Sequence, residues 1–405
     1  MMDFIETAVR RNPILIKVAT EFHQSGIIPA NTVVIDLDVV KRNAEVIKSE
    51  AEKVGVLNYF MTKQFGRNPL VCNVIRDSGI DSAVAVDIEE VKCLHRHNIP
   101  VGHVGHLVQI PMHEVEYVLK EVNPEVITVF SVEKAEEISK VAEKLGKTQK
   151  LLIRVVGKSD FFYQNQEGGF PEEKVVTVVK TINNLGGVKV VGVTSFPCLR
   201  FNLRSKKLEP LPNFDTLIRT ASKLEKELGM EVEQINAPAD TSAMVMKILA
   251  GKGATHGEPG HGFTGTTPWH AFEDLPELPA WVYVSEVSHL FGDKAFAFGG
   301  GLMSADAPLG LWTYLYQKFR LYALVGREPE TIIEKKILAE PAGYIDYYGP
   351  LYPGPNDKIM VGDTVIYGLR NQIFVSRANV AVVSGMQQKK PKLLGIFDRT
   401  GNLLS

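Results

Sequence analysis

The sequence is poor in several features that would have assigned it quickly. Cysteine occurs three times in 405 residues, as Cys72, Cys93 and Cys198. The number is odd and the spacing wide, so neither a disulfide framework nor a CxxC metal site is present. No apolar run approaches the roughly 20 residues of a membrane span, and the N-terminus lacks the apolar core of a secretory signal. The chain is therefore expected to be soluble and cytoplasmic. Charge of one sign is never concentrated: 45 basic residues face 47 acidic ones, for a net charge of −2. That excludes the footprint of a nucleic-acid or membrane-surface binder. Lys389–Lys392, broken by Pro391, reads as a solvated turn.

With 45% hydrophobic residues, the chain has enough apolar mass for a large core, and its length suits two domains or one barrel with an addition. Residues 1–28 read as two short amphipathic helices, separated at Asn12-Pro13 and ended by Gly26. A repeat of strand and helix follows. Strands are expected at Thr32–Asp38, Leu57–Thr62, Ser82–Val86, Val101–Leu107, Val126–Phe130, Leu151–Val156, Val188–Phe196 and Glu231–Asn236, each followed by a helical pattern. Alternation of this kind implies a parallel sheet, and eight units imply an α/β fold of the closed (β/α)8 TIM-barrel type. A doubly wound open sheet is the alternative. The strand–helix junctions carry no GxGxxG turn, which disfavours a dinucleotide fold.

The pattern changes after Pro268. Trp281–His289 and Lys294–Phe298 alternate around Phe291-Gly292-Asp293, a hairpin signal. A helical stretch near Leu309–Leu324 intervenes. Strands return at Ile337–Glu340, Lys358–Tyr367, Gln372–Ser384 and Leu393–Phe397. Period-two alternation with Gly and Asn turns means a mostly antiparallel β-domain. The expected division is a helical extension over 1–29, a barrel over 30–268 and a β-domain over 269–405.

Lys63 stands at the end of the apolar strand 57–62, and Gly66 and Pro69 mark the turn that follows. Barrel enzymes keep their chemistry at that end of the strands. An amine held there can attack a carbonyl and form a Schiff base; a solvated strand-end lysine would look the same. The second signal is His256-Gly-Glu-Pro-Gly-His-Gly-Phe-Thr-Gly265, dense enough in glycine for the backbone to close on an anion or simply to link two domains. Thr241 and Ser242 lie upstream at a strand-to-helix junction, where hydroxyls cap a helix or bind phosphate.

Taken together, these features resemble the alanine racemase-type (fold-type III) pyridoxal-phosphate enzymes. The lysine, the hydroxyls, the E-P-G-H-G-F turn and the C-terminal β-domain follow that family's order over roughly residues 30–300. Val33-Val-Ile-Asp-Leu-Asp38 with Asn43 is similar to its first strand and helix. Phe60-Met-Thr-Lys-Gln-Phe-Gly66 and Gly105-His-Leu-Val-Gln-Ile-Pro111 are similar to its YhfX-type branch.

The resemblance implies that Lys63 carries pyridoxal 5′-phosphate (PLP) as a Schiff base. It implies that the backbone of Gly260 and His261, with Thr241 or Ser242, holds the phosphate. Glu258 would face the pyridine nitrogen, where alanine racemases place an arginine and the decarboxylases of this fold a glutamate. A carboxylate there keeps the ring nitrogen protonated and the ring a strong electron sink. His103 and His106 are expected on opposite sides of the fourth strand by alternation, and His106 is the candidate for contact with the cofactor ring. Arg154 would neutralise the cofactor's phenolic oxygen or a substrate carboxylate; a buried ion pair would explain it equally. Ala342-Gly-Tyr-Ile-Asp-Tyr-Tyr348 is similar to the family's G-Y-x-D-x-Y pattern, which makes Tyr344 the candidate second acid/base, contributed across a homodimer interface; Tyr347 and Tyr348 stay open. Cys198 reads as inert packing.

D-threonine aldolases and D-serine dehydratases share this barrel, and Tyr283–Ser288, Gly299–Gly301 and Ser304–Asp306 are similar to their β-domain. Their metal-binding pair falls where this chain has Tyr367-Gly-Leu-Arg-Asn-Gln372, without histidine, cysteine or acid. No catalytic metal is therefore expected. The expected function is amino-acid racemisation by proton removal and return at Cα, with Lys63 as one base. The alternatives are decarboxylation of an amino acid and PLP binding without turnover.

Overall fold

The computed structural model describes residues 4–302, 321–340 and 345–405. The chain forms two compact units. One contains residues 1–44, 63–74 and 261–405; the other contains 45–62 and 75–260.

The second unit is built on a parallel barrel. Its strands are Leu57–Asn58 with Phe60–Met61, then Ala83–Ala85, Val101–Val104, Val126–Val129, Gln149–Val156, Val188–Thr194, Gln234–Asn236 and His256–Gly257. Each pairs in parallel with its neighbour around the sheet. The first two segments are one strand divided at Tyr59. The Tyr59 amide donates to Gly257 O on one side, at 3.1 Å, and that of Phe60 to Ser82 O on the other, also at 3.1 Å. The sheet thereby returns on itself, and the eight-stranded α/β barrel is present. Helices such as Val132–Lys144 and Pro212–Leu228 connect the strands. Ser131 caps the former by accepting from the Lys134 amide at 3.2 Å. Tyr59, Met61, Val84, Val126, Leu152 and Val191 are buried together within the barrel.

One strand assignment is corrected. Thr32–Asp36, expected to open the barrel, instead pairs with Trp281–Phe291 and Asn379–Ser384. The eighth barrel strand is His256–Gly257. All five residues of Thr32–Asp36 are buried, and a strand covered on both faces carries no mark of the sheet it joins.

The first unit holds a nine-stranded sheet, antiparallel except where Thr32–Asp36 runs parallel to Asn379–Ser384. Lys294–Phe298 pairs both with Trp281–Phe291 and with Tyr348–Tyr352, which closes part of the sheet into a barrel. The hairpin turn at Gly292 has φ +63°. Leu321–Gly326, expected as the end of a helical stretch, is a strand, and Tyr348–Tyr352 is a strand that the sequence pattern did not signal. The helices Phe4–Arg11 and Pro13–Gln24 lay Ile5, Leu15, Ile16 and Phe22 against Val282, Val284 and Ile366 of this sheet. No helix among the described residues is long and apolar enough to cross a membrane.

Candidate active site

Glu258 follows directly on the short strand His256–Gly257, at the carboxyl end of the barrel strands. The Met61 amide donates to the carbonyl of Pro259 at 2.8 Å, which fixes the glutamate turn against the strand that leads to Lys63. The carboxylate is buried. Its Oε1 lies 2.8 Å from His103 Nδ1 and accepts from Asn236 Nδ2 at 2.8 Å. Its Oε2 has no hydrogen-bond partner among the described residues; His106 Nε2 is 3.4 Å away, without the alignment of a hydrogen bond. Burial alone would push the Glu258 pKa up. The charge of His106 and the hydrogen bonds from His103 and Asn236 outweigh burial and hold it at about 2. The side chain is therefore an anion at neutral pH.

His103 and His106 share this carboxylate, contrary to the expectation that alternation would separate them. The strand ends at Val104, and Gly105 turns with φ +85°, so period two does not reach residue 106. A Cβ at Gly105 would meet Thr128 O at 2.5 Å, so the turn requires glycine. The His103 and His106 ring centroids are 5.5 Å apart.

An aromatic shell adjoins this cluster. His106 meets Phe196 edge-on at 5.4 Å, and Phe196 lies 5.9 Å from Tyr163. Arg154, on the strand Gln149–Val156, is buried with its guanidinium 4.8 Å from the Phe130 ring and 5.9 Å from that of Phe162. Its Nη2 donates to Gln166 O at 2.7 Å and to Phe196 O at 3.3 Å. Its Nε and Nη1 have no hydrogen-bond partner among the described residues. Burial lowers its pKa to about 10, which leaves it protonated at neutral pH. Cys198 is fully buried, donates to Ser195 O at 3.2 Å, and has its thiol pKa pushed up by burial. It has the inert character expected of it.

Thr241 and Ser242 are buried on the loop after Gln234–Asn236, and Ser242 Oγ has no hydrogen-bond partner among the described residues. Ala239 and Asp240, just before them, have φ +154° and +41°. Two non-glycine residues in that region are strained backbone of the kind found at binding sites.

In the other unit, Lys63 opens the 3-10 turn Lys63–Phe65 and is half-buried. Gly66 follows with φ +66°, where a Cβ would meet Val380 Cγ2 at 3.0 Å. Asn68 Oδ1 accepts from the Leu70 amide at 3.0 Å and caps the helix Pro69–Asp77. His261 lies in the same unit. Burial, then the charges of Arg370 and Lys63, push its pKa well below the usual histidine range. Its Nδ1 is 3.0 Å from Thr266 Oγ1, and its Nε2 has no hydrogen-bond partner among the described residues. Tyr344 lies outside the described residues. Among the described residues, no group of three or more His, Cys, Asp or Glu side chains is arranged to hold a metal ion.

The structure adds Asn236 and Thr128 to the cluster around Glu258. Neither was singled out in the sequence, because a polar residue in a barrel strand gives no sign of which distant side chain it will meet.

A model of the alanine racemase N-terminal domain matches residues 35–268. The chain belongs to the alanine racemase-like family. A model of the YhfX-like C-terminal domain matches residues 282–393, so the family's barrel is joined here to the β-domain of the YhfX type. The chain is 38% identical to the protein YhfX of Escherichia coli (strain K12) over 402 residues, 99% of each chain. It is 29% identical to an alanine racemase of Methanococcus maripaludis over 165 residues, 39% of this chain and 41% of the other. The fold is that of a D-threonine aldolase from Filomicrobium marinum, with a TM-score of 0.67 at 14% identity, covering 92% of this chain and 95% of that one. It is also that of an alanine racemase from Clostridium difficile 630, with a TM-score of 0.64 at 17% identity, covering 92% and 99%.

Proposed function

We propose that this member of the alanine racemase-like family is a PLP-dependent amino-acid racemase, acting as a cytoplasmic homodimer. The observation that carries the reading is Glu258: a buried carboxylate, held ionised, with one oxygen bonded twice and the other bare. Such an oxygen fits the protonated ring nitrogen of PLP. The unpartnered Ser242 Oγ beside Thr241 fits a phosphate oxygen, together with the backbone of Gly260 and His261. Lys63 is the amine that would hold the aldehyde. PLP, when bound, supplies an electron sink for negative charge at the substrate Cα.

The chain's own groups would then divide the work. Glu258 keeps a positive charge on its partner by remaining an anion. His106, against Phe196 and Glu258, lines the ring's position. Arg154 offers a buried cation to the cofactor's phenolic oxygen. The Lys63 Nζ would take the proton from Cα on one face, and inversion then requires a second group to deliver a proton on the other. Tyr344 of a partner subunit is proposed for the other face.

A dimer has support in the β-domain, where Leu290, Phe291, Phe298, Tyr347 and Tyr348 are exposed. Large exposed apolar side chains of this kind are suited to contact with a second subunit.

Decarboxylation is the second reading, favoured by the glutamate itself, since a strong electron sink stabilises a carbanion formed by loss of CO2 as well as one formed by loss of a proton. The experiment is twofold. Purified protein should take up PLP and gain its visible absorbance, and Lys63→Ala should abolish that covalent signal. Single L-amino acids in deuterated water should then yield D-enantiomer with deuterium at Cα. Release of CO2 without the D-enantiomer establishes the second reading, and a wild-type chain that takes up no PLP ends both.

A further inference from the structure

The two oxygens of Glu258 are treated unequally. Oε1 is saturated by two N–H donors, and Oε2, though buried and 3.4 Å from His106 Nε2, accepts no hydrogen bond among the described residues. A buried carboxylate oxygen that accepts no hydrogen bond requires an explanation. The asymmetry traces back to His103, which is 0% exposed and engaged at both nitrogens: Nδ1 is 2.8 Å from Glu258 Oε1, and Nε2 is 2.6 Å from Thr128 Oγ1. The ring cannot turn without losing both contacts.

A carboxylate only accepts, so the hydrogen must sit on Nδ1 of His103. In the neutral ring Nε2 is then an acceptor, and the Thr128 hydroxyl is its donor. The hydroxyl selects the tautomer, as outer hydrogen bonds do for metal-bound histidines. The other groups facing His103 are the His106 ring at 5.5 Å and the Tyr59 ring at 5.8 Å, with His256 near enough to act through its charge. The hydrogen bonds of the His103 ring nitrogens go to Glu258 and Thr128.

We propose that Thr128 and His103 form a fixed relay behind Glu258, in which the threonine hydroxyl locks the Nδ1–H tautomer and so leaves Oε2 bare for a cationic ring N–H. Both are positioning residues. Neither touches the ligand. The identity of that ligand as PLP rests on the function proposed above; the tautomer does not.

The test uses full-length protein labelled with 15N-histidine, with the His103 signals assigned by their disappearance in His103→Gln. Wild type should show the His103 ring in the Nδ1–H tautomer wherever it is neutral. Thr128→Val, nearly isosteric, should bring in the other tautomer, and Thr128→Ser should restore the first. PLP affinity should fall about 10-fold or more in Thr128→Val and recover in Thr128→Ser. An analogue with CH in place of the ring nitrogen should bind the wild type and Thr128→Val alike. A wild-type ring protonated at Nε2 overturns the relay, as does a Thr128→Val variant that keeps the wild-type tautomer. If PLP does not bind the wild type, the cofactor assignment falls, while the tautomer measurement still decides the relay.

Discussion

The Arg154 guanidinium lies 4.8 Å from the centre of the Phe130 ring, and among the described residues no carboxylate pairs with it. Two carbonyls take its Nη2, which offsets only part of the cost of burying a cation. A charge kept at that cost without an ionic partner is suited to an anionic ligand. Arg154→Met preserves the length of the stem and removes the charge. The expected outcome is folding stability within about 1 kcal/mol of wild type or above it, with PLP or amino-acid binding weaker by roughly 10-fold or more, since about 1.4 kcal/mol is tenfold. Urea unfolding read beside a ligand titration separates the two. A large loss of stability with ligand binding intact would make the arginine a packing element.

His256 links the barrel to acid stability. Its ring stacks on Tyr59 at 5.6 Å, and burial, with the charge of His103, lowers its pKa from 6.5 to about 4. Between those values the unfolded chain binds a proton that the folded one does not. Stability is therefore greatest above pH 6.5 and falls as the pH drops toward 4, by on the order of 3 kcal/mol. Glu258 acts in the same direction at lower pH: its folded value of about 2 lies below the ordinary 4.5, so its contribution is lost as pH falls through that window. His256→Gln removes the first titration and retains the second. Denaturant midpoints measured across the pH range should show a slope between pH 6.5 and 4 that is shallower by one proton in the variant. An unchanged slope would place the titrating group elsewhere.

The barrel was legible because strand and helix alternate with clear apolar periods, and Glu258 because E-P-G-H-G-F is an unusual string. What was not legible depended on long-range pairing. Thr32–Asp36 is apolar throughout, and its partners lie some 250 and 350 positions further along the chain. His256–Gly257 is too short and too polar to read as a strand, yet it closes the barrel. The partners of Glu258 come from separate strands, so the cluster arises only when the sheet returns on itself. The helix Leu37–Glu52 was legible as an element; what its Asn43 bonds to was not.

Asn43 is fully buried and holds two distant carbonyls. Its Nδ2 donates to Phe263 O at 3.0 Å and Leu278 O at 2.8 Å, and its Oδ1 accepts from the Leu278 amide at 2.9 Å. Asn43→Ala removes these three bonds and strands buried backbone groups, for an expected loss of roughly 3 kcal/mol. Asn43→Asp keeps the acceptor but loses the donor and adds a buried charge, so it should be at least as damaging near neutral pH. Thermal or urea unfolding of both variants checks the order. A mild Asn43→Asp variant would mean that the amide donor contributes little.

The residue before Lys63 is tied to the barrel interior by chemistry that can be removed without changing shape. Thr62 and Glu90 are both 0% exposed, and the Thr62 hydroxyl donates to Glu90 Oε1. Glu90 Oε2 accepts from the Val86 amide at 2.7 Å, and the Glu90 amide donates to Asp87 Oδ1 at 2.8 Å, which fixes the carboxylate at the start of the helix Ile88–Arg96. The end of the strand carrying Thr62 is thus anchored to a rigid acceptor. Thr62→Val keeps the volume and the β-branch but takes the donor from a buried carboxylate, at an expected cost of about 1–3 kcal/mol. If the anchor orients the lysine, PLP capture should weaken in the same variant, and Thr62→Ser should restore both stability and capture. A Val variant that is less stable yet captures PLP as wild type does would confine the bond to holding the barrel together, because an amine set by other contacts does not respond when the strand end loosens.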